Sequence, residues 1–272
     1  MTASAFARAL VLATSLDDKL RPPPPGVAVQ ADGGTPERLA GPGRPPGLEI
    51  RRGREVSVPP IAGMRDPDQR ARILHALANH ELQAAELFAW ALCAFADAPR
   101  GFRAGLWKIC TDEQRHCAAY FARAAALGRG PTDCPVSGHF WNKLDRLGTP
   151  LDFVCTMGLT FENANLDLAA EYAAAARAIG DGETAALLDE VAEDELDHVR
   201  FAAVWLGKLA PDETAWAAYQ RVVSFPLGAH RARGVHFDAE ARRRAGLDEE
   251  FIAALAAAEP QRPGGAPRAR RS

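Results

Sequence analysis

The chain has 272 residues, of which 47% are hydrophobic and 25% are charged, and its formal net charge at pH 7 is −3. This composition is typical of a globular protein, and so small a net charge gives no reason to expect nucleic acid or lipid as a partner. No apolar run approaches the 18 residues of a membrane span, so we expect no membrane association. Five cysteines without a Cys-x-x-Cys pair favour buried thiols and a cytoplasmic location.

The domain organisation follows from shifts in composition along the chain. Residues 1–20 predict an N-terminal helix, and residues 21–64 form an arm rich in Pro, Gly and Arg that can only cross a surface in extended segments. Residues 65–210 are rich in Ala with a helical apolar period. Residues 211–258 predict accessory helices, and the polar, basic residues 259–272 predict a disordered tail.

Four long helices are predicted within residues 65–210. Apolar periodicity and the Pro and Gly residues at the helix ends place them at about 66–97, 99–127, 150–179 and 183–209. The longest connection, 129–148, lies between the second and third helices, where a bundle of this kind needs one crossover along its length. We therefore predict an all-α fold, a four-helix bundle with an extended arm and extra C-terminal helices.

One pattern of carboxylate and histidine residues occurs twice in this region. Glu81 precedes the Glu113 of Asp-Glu-Gln-Arg-His by 32 residues, and Glu162 precedes the Glu195 of Asp-Glu-Leu-Asp-His by 33. Residues three apart share a helix face, so a Glu-x-x-His pair can hold one ion from adjacent turns. Two Glu plus two Glu-x-x-His form the ligand set of di-iron and di-manganese bundles. We predict a two-metal site with the ligands Glu81, Glu113, His116, Glu162, Glu195 and His198.

The alternative to a metal site is a set of buried ion pairs inside a helical bundle. One Glu-x-x-His motif could arise by chance, but two at matching distances are harder to explain in that way. Four carboxylates that face a core are buried charges. Unless cations neutralise them, each should lower the stability of the fold by several kcal/mol, on the order of the penalty for a buried unpaired charge. Nitrogen and oxygen ligands favour two iron ions, with manganese or a mixed Mn/Fe pair as alternatives.

Polar residues next to the motifs are candidates for orienting the ligands. Asp112 and Asp194 lie four residues before His116 and His198, where either could accept the second ring N–H of a metal-bound histidine. Arg115 could pair with such an aspartate, and an Asp–Arg pair on the surface is the alternative.

Two further residues lie close to the predicted ligands in sequence. Tyr120, one turn after His116, is a candidate redox-active or hydrogen-bonding neighbour of the metals, and a plain core tyrosine is the alternative. Glu86, five residues after Glu81, points away from the ligand face, so we expect it at the surface or behind the ligands.

The motifs also resemble known families. Asp112-Glu113-Gln114-Arg115-His116 is similar to the D-E-x-R-H signature of oxygen-activating di-iron proteins such as bacterial multicomponent monooxygenases and acyl-carrier desaturases, whereas the second copy has Asp197 in the Arg position. Residues 10–210 resemble a ferritin-like family catalogued as a domain of unknown function. The resemblance implies a ferritin-like bundle, and it is carried by GPGRP (41–45), ILHALANHEL (73–82), DEQRH (112–116), FENANLD (161–167) and DELDHV (194–199).

The function expected from these features is that of a non-haem di-iron oxidase or oxygenase. It would use O₂ to oxidise an unidentified organic substrate, with a reductase or ferredoxin as electron donor, and a homodimer is an allowed assembly. Alternatives are a ferroxidase or iron-storage protein, a manganese catalase or Mn/Fe oxidase, and a metal-free binding module. A tRNA hydroxylase is a further alternative, which the basic arm and tail allow although no aromatic-basic surface pattern supports it.

Overall fold

The computed structural model describes residues 1–27, 29, 35–225 and 227–260, and these residues are mostly helical. The all-α prediction is therefore confirmed. The described chain forms two compact units, which interleave along the sequence. Unit 1 comprises Met1–Pro150 and Tyr172–Val191, and unit 2 comprises Leu151–Glu171 and the described residues from Ala192 onwards.

The N-terminal part of unit 1 has more local structure than predicted. Residues 1–20 form two helices, α1 (Ala3–Leu12) and α2 (Leu16–Leu20), instead of one. The arm is extended as expected but contains two short 3₁₀ turns and a two-residue strand, β1 (Ile50–Arg51), parallel to β2 (Val136–Ser137). Arm residues 28 and 30–34, and the predicted tail beyond residue 260, lie outside the described residues.

The four predicted long helices are all present. They are α3 (Pro67–Ala94), α4 (Arg100–Ala126), a third helical stretch from Pro150 to Ala178, and α7 (Gly182–Leu209). The starts and ends follow local signals. The Asp66 side chain accepts a hydrogen bond from the Gln69 N–H at the start of α3, and Gly128 adopts a φ of +89° just after α4.

All four long helices contribute to the core of unit 1. Helices α3 and α4 pack against each other, as expected for neighbours joined by a short connection. The main apolar cluster combines residues from each helix with Leu48 and Val136, namely Leu74, Ala78, Leu82, Cys117, Tyr120, Phe121, Ala124, Ala173, Leu188 and Val191. A single ferritin-like bundle with a lengthwise crossover stays a prediction.

The third helical stretch differs from a regular α-helix. It consists of α5 (Pro150–Phe153), a π-helix at Val154–Glu162, and α6 (Asn163–Ala178). The Asn163 N–H donates to the Gly158 carbonyl, and the Thr160 hydroxyl donates to the Cys155 carbonyl at 2.8 Å, both five residues back. Stretches of π-helix are rare and are frequent at functional sites.

The C-terminal part of unit 2 packs against this π-helix. It contains α8 (Ala215–Val222), a 3₁₀ turn at Ala229–Ala232, α9 (Ala239–Arg244) and α10 (Glu249–Ala256), so the predicted helix at 238–258 is in fact two helices. Both α8 and the 3₁₀ turn contact the π-helix. The Tyr219 hydroxyl of α8 hydrogen-bonds the Thr160 hydroxyl at 2.9 Å. Within the described residues, every helix is too short or too polar to cross a lipid bilayer.

Candidate metal-binding site

Unit 1 contains the first predicted Glu, Glu and His set as a buried triad. Glu81 lies on α3, and Glu113 and His116 lie one turn apart on α4. All three are at most 2% exposed, and each offers a ligand atom within 4.8 Å of those of the other two. His116 Nδ1 lies 3.4 Å from Glu113 Oε2. The triad therefore directs two carboxylates and one imidazole nitrogen at one small volume.

Unit 2 contains the second set in the same form. Glu162 is the last residue of the π-helix, and Glu195 and His198 lie one turn apart on α7. These three are also at most 2% exposed with ligand atoms within 4.8 Å of one another. His198 Nδ1 lies 3.0 Å from Glu195 Oε2. Each unit thus brings together the three ligands that the sequence pattern assigned to one metal ion.

A residue that the sequence reasoning missed lies beside the second triad. The Asn165 carboxamide, three residues after Glu162 on α6, donates a hydrogen bond of 2.9 Å to Glu195 Oε1. Asn165 belongs to the segment FENANLD, which contains two asparagines. These two amides were the only indication in that segment of a polar residue near the ligands.

The residues predicted to orient the ligands have other contacts as well. Asp112 accepts a hydrogen bond of 2.8 Å from Lys108, one turn earlier on α4, and lies 3.7 Å from Arg115. The Arg115 side chain is 46% exposed and pairs with Glu190 at 2.9 Å. Asp194 is partly buried on α7. Whether Asp112 or Asp194 orients a histidine stays a prediction.

Tyr120 and Glu86 are both buried in unit 1. Tyr120 is 1% exposed within the main apolar cluster, and its proposed redox role stays a prediction. Of the two positions expected for Glu86, at the surface or behind the ligands, the surface position is wrong, because Glu86 is fully buried on α3. There it forms ion pairs with Lys19 at 2.7 Å and with Arg44 at 2.6 Å. A structural role in holding the arm explains its burial.

The donor chemistry of the triads fits a hard or borderline divalent cation. Carboxylate oxygen with imidazole nitrogen suits iron or manganese, and a cation would offset the repulsion between two buried carboxylates. Burial raises the pKa of Cys117 well above its ordinary value and also raises the pKa of Cys110, so without a metal ion both thiols stay protonated. The triads can therefore hold a metal ion through oxygen and nitrogen.

The fold and the triads define a helical protein with buried carboxylate–histidine groups that can bind metal. The family model described as "Protein of unknown function (DUF455)" matches residues 7–253, and the chain belongs to this family. No curated protein and no solved structure matches the chain.

Proposed function

We propose that each of the two triads binds one iron ion, and that the protein is a non-haem di-iron protein that acts as an O₂-dependent oxidase or oxygenase of an organic substrate. Glu81, Glu113 and His116 would hold one ion, and Glu162, Glu195 and His198 would hold the other. We propose the enzymatic activity, an organic substrate and a reductase or ferredoxin as electron donor together with the metal.

The observation that carries the proposal is the repetition of one complete buried triad. Each unit contains a lone Glu and a Glu-x-x-His pair, at nearly the same sequence spacing, with all ligand atoms within 4.8 Å in each triad. A structural ion would need only one such set. Bundles with two sets, all projecting inward, are the carriers of di-iron and di-manganese chemistry.

The protein side chains have definite tasks in such a centre. When bound, reduced iron supplies the electrons with which O₂ becomes an oxidant for the substrate. The carboxylates balance the ionic charge, and the histidines present Nδ1 toward the same volume as their motif glutamates. The apolar side chains of Leu82 and Cys117, next to Glu81 and His116 in sequence, are fully buried and help to exclude water.

The experiment that tests this function starts from metal content. Protein from iron-supplemented cells should contain two irons per chain. After anaerobic reduction, exposure to O₂ should give a transient absorbance that decays without mineral growth, and a reductase or ferredoxin should support repeated turnover. Hundreds of irons per assembly would instead mean storage, two manganese ions would favour the manganese alternatives, and protein that binds no added metal would overturn the proposal.

A further inference from the structure

The two oxygens of the Glu195 carboxylate have different neighbours within unit 2. Oε1 accepts the 2.9 Å hydrogen bond from the Asn165 carboxamide, and Oε2 lies 3.0 Å from His198 Nδ1. Glu195 and His198 are fully buried. Since Asn165 is neutral, it cannot take the place of a cation beside Glu195. It can only fix the orientation in which the carboxylate presents Oε2 to the volume shared with His198.

The first copy of the motif has no such donor at the corresponding position. When the two copies are aligned on Glu81 and Glu162, the residue that matches Asn165 is Ala84. Ala84 is fully buried on α3, and its methyl side chain cannot donate a hydrogen bond. The two copies of the ligand pattern therefore differ at this position, which is Asn165 in the second copy and Ala84 in the first.

We propose that Asn165 is a positioning residue for Glu195 and that it makes the two metal positions of the protein unequal. This inference rests on the proposed function, because it concerns the ions held by the two triads. Hydrogen bonds from residues behind the ligands set ligand orientation, and their removal typically costs about 10–100-fold in metal affinity. Because Asn165 donates its hydrogen bond to Glu195 of the second triad, the larger loss of affinity should be that of the ion held by this triad.

The test is a titration of the full chain with Mn²⁺, in which free Mn²⁺ is counted by its electron paramagnetic resonance signal. Asn165→Ala removes the donor, and Asn165→Leu removes it while nearly keeping the side-chain volume. Glu171→Ala is the matched control, since Glu171 lies on the same helix and accepts a hydrogen bond from the His236 N–H instead of touching the triad. Circular dichroism confirms that each variant is folded.

The expected result is that wild-type protein and Glu171→Ala bind two Mn²⁺ with the same pair of affinities. In both Asn165 variants, one equivalent should weaken by about 10–100-fold while the other changes by less than about threefold. Unchanged affinities in both variants, or equal weakening of both equivalents, would overturn the positioning role alone. Wild-type protein that binds no Mn²⁺ and no Fe²⁺ would overturn the proposed function and this inference together.

Discussion

Glu86 and Asp167 occupy the same position in the two copies of the repeated segment, each five residues after the lone ligand glutamate of its copy. Both are buried, with exposures of 0% and 1%. Glu86 forms ion pairs with two basic side chains and Asp167 with one, and all three come from distant parts of the chain. The repeat therefore contains a second shared feature besides the ligands.

In unit 1 the partners of Glu86 come from α2, from the arm and from the connection at residues 129–148. Lys19 and Arg44 pair with it, and the Trp141 indole N–H donates to Glu86 Oε2 at 2.7 Å. Lys19 is itself fully buried and also donates to the carbonyls of Leu10 and Val11. This single carboxylate thus attaches α2 and the arm to α3.

In unit 2 the partners of Asp167 come from the C-terminal segment. Arg242 binds both carboxylate oxygens, at 2.7 and 2.9 Å, and the backbone N–H groups of Gly234 and Asp238 donate to the same two oxygens. Arg242 is fully buried and stacks over the Phe237 ring at 4.1 Å. Asp167 thus attaches the segment from Gly234 to Arg242 to α6.

Removal of either carboxylate should strongly destabilise the protein. Glu86→Ala and Asp167→Ala each leave buried basic groups without their charge partner, so each should lower the free energy of unfolding by about 3–5 kcal/mol. Urea denaturation followed by circular dichroism measures this loss. Glu37→Ala is the control, because it removes an exposed ion pair with Arg8 and should change stability by less than about 1 kcal/mol. Losses of similar size in all three variants would contradict this account.

The π-helix and α7 approach each other closely at Gly158. A Cβ added there would overlap the Ala202 Cβ on α7, so Gly158→Ala should cost about 1–3 kcal/mol of unfolding free energy. Ala202→Gly in the same chain should recover part of that loss. Gly207→Ala, also on α7, meets open space among the described residues and should be stabilising by up to about 1 kcal/mol. The absence of any recovery in the double variant would argue against the contact.

Stability should also depend on the protonation of His75. Burial lowers the pKa of His75, although the hydrogen bond between its Nε2 and the Pro131 carbonyl, at 2.6 Å, acts in the opposite direction. The unfolded chain, with a histidine pKa of about 6.5, binds the proton more readily, so acidification below that pH favours unfolding.

The expected observation is that the free energy of unfolding of the metal-free protein rises between about pH 5.5 and 7.5. His75→Gln keeps an N–H donor for Pro131 but does not titrate, so its slope should be smaller than that of the wild type. The other histidines are present in both proteins and cancel in the comparison. Identical slopes would mean that His75 has the same pKa in the folded and unfolded chains.

Metal binding should stabilise the folded chain through both triads. At a free metal concentration 100 times the dissociation constant, one bound ion adds about 2.7 kcal/mol to the free energy of unfolding. Glu113→Ala and His198→Ala should each abolish binding of two ions and most of this gain in thermal denaturation, whereas Glu171→Ala should keep both. Retention of two ions in both ligand variants would show that the ligands are wrongly assigned.

The sequence was sufficient to predict those parts of the fold that depend on local signals, such as the ends of helices. The ends of the four long helices follow from Asp66 before α3, Pro99 before α4 and Pro211 after α7, and all lie within about three residues of the predicted bounds. The burial of all six predicted ligands also agrees with their apolar helix faces.

The features that sequence could not predict depend on contacts between distant segments. Within the π-helix, Gly158 lies close to Ala202 of α7, and the apolar period of the sequence does not show this contact. The partners of Glu86 lie 67 and 42 residues away, at Lys19 and Arg44, so its position on the helix suggested only that it faced away from the ligands. The two amides of FENANLD mark the segment that contains Asn165, but the sequence does not show that this side chain reaches Glu195.

The interleaved composition of unit 1 affects how the protein can fold during synthesis. Its apolar cluster combines Leu74 and Leu82 with Ala173 and Val191, which are translated much later. At about 5–20 residues per second, the ribosome needs roughly 2–8 s to extend the chain from residue 150 to residue 191. Apolar faces of α3 and α4 stay uncovered during that interval, so nascent chains of this protein should be substrates for chaperones that bind exposed apolar helices.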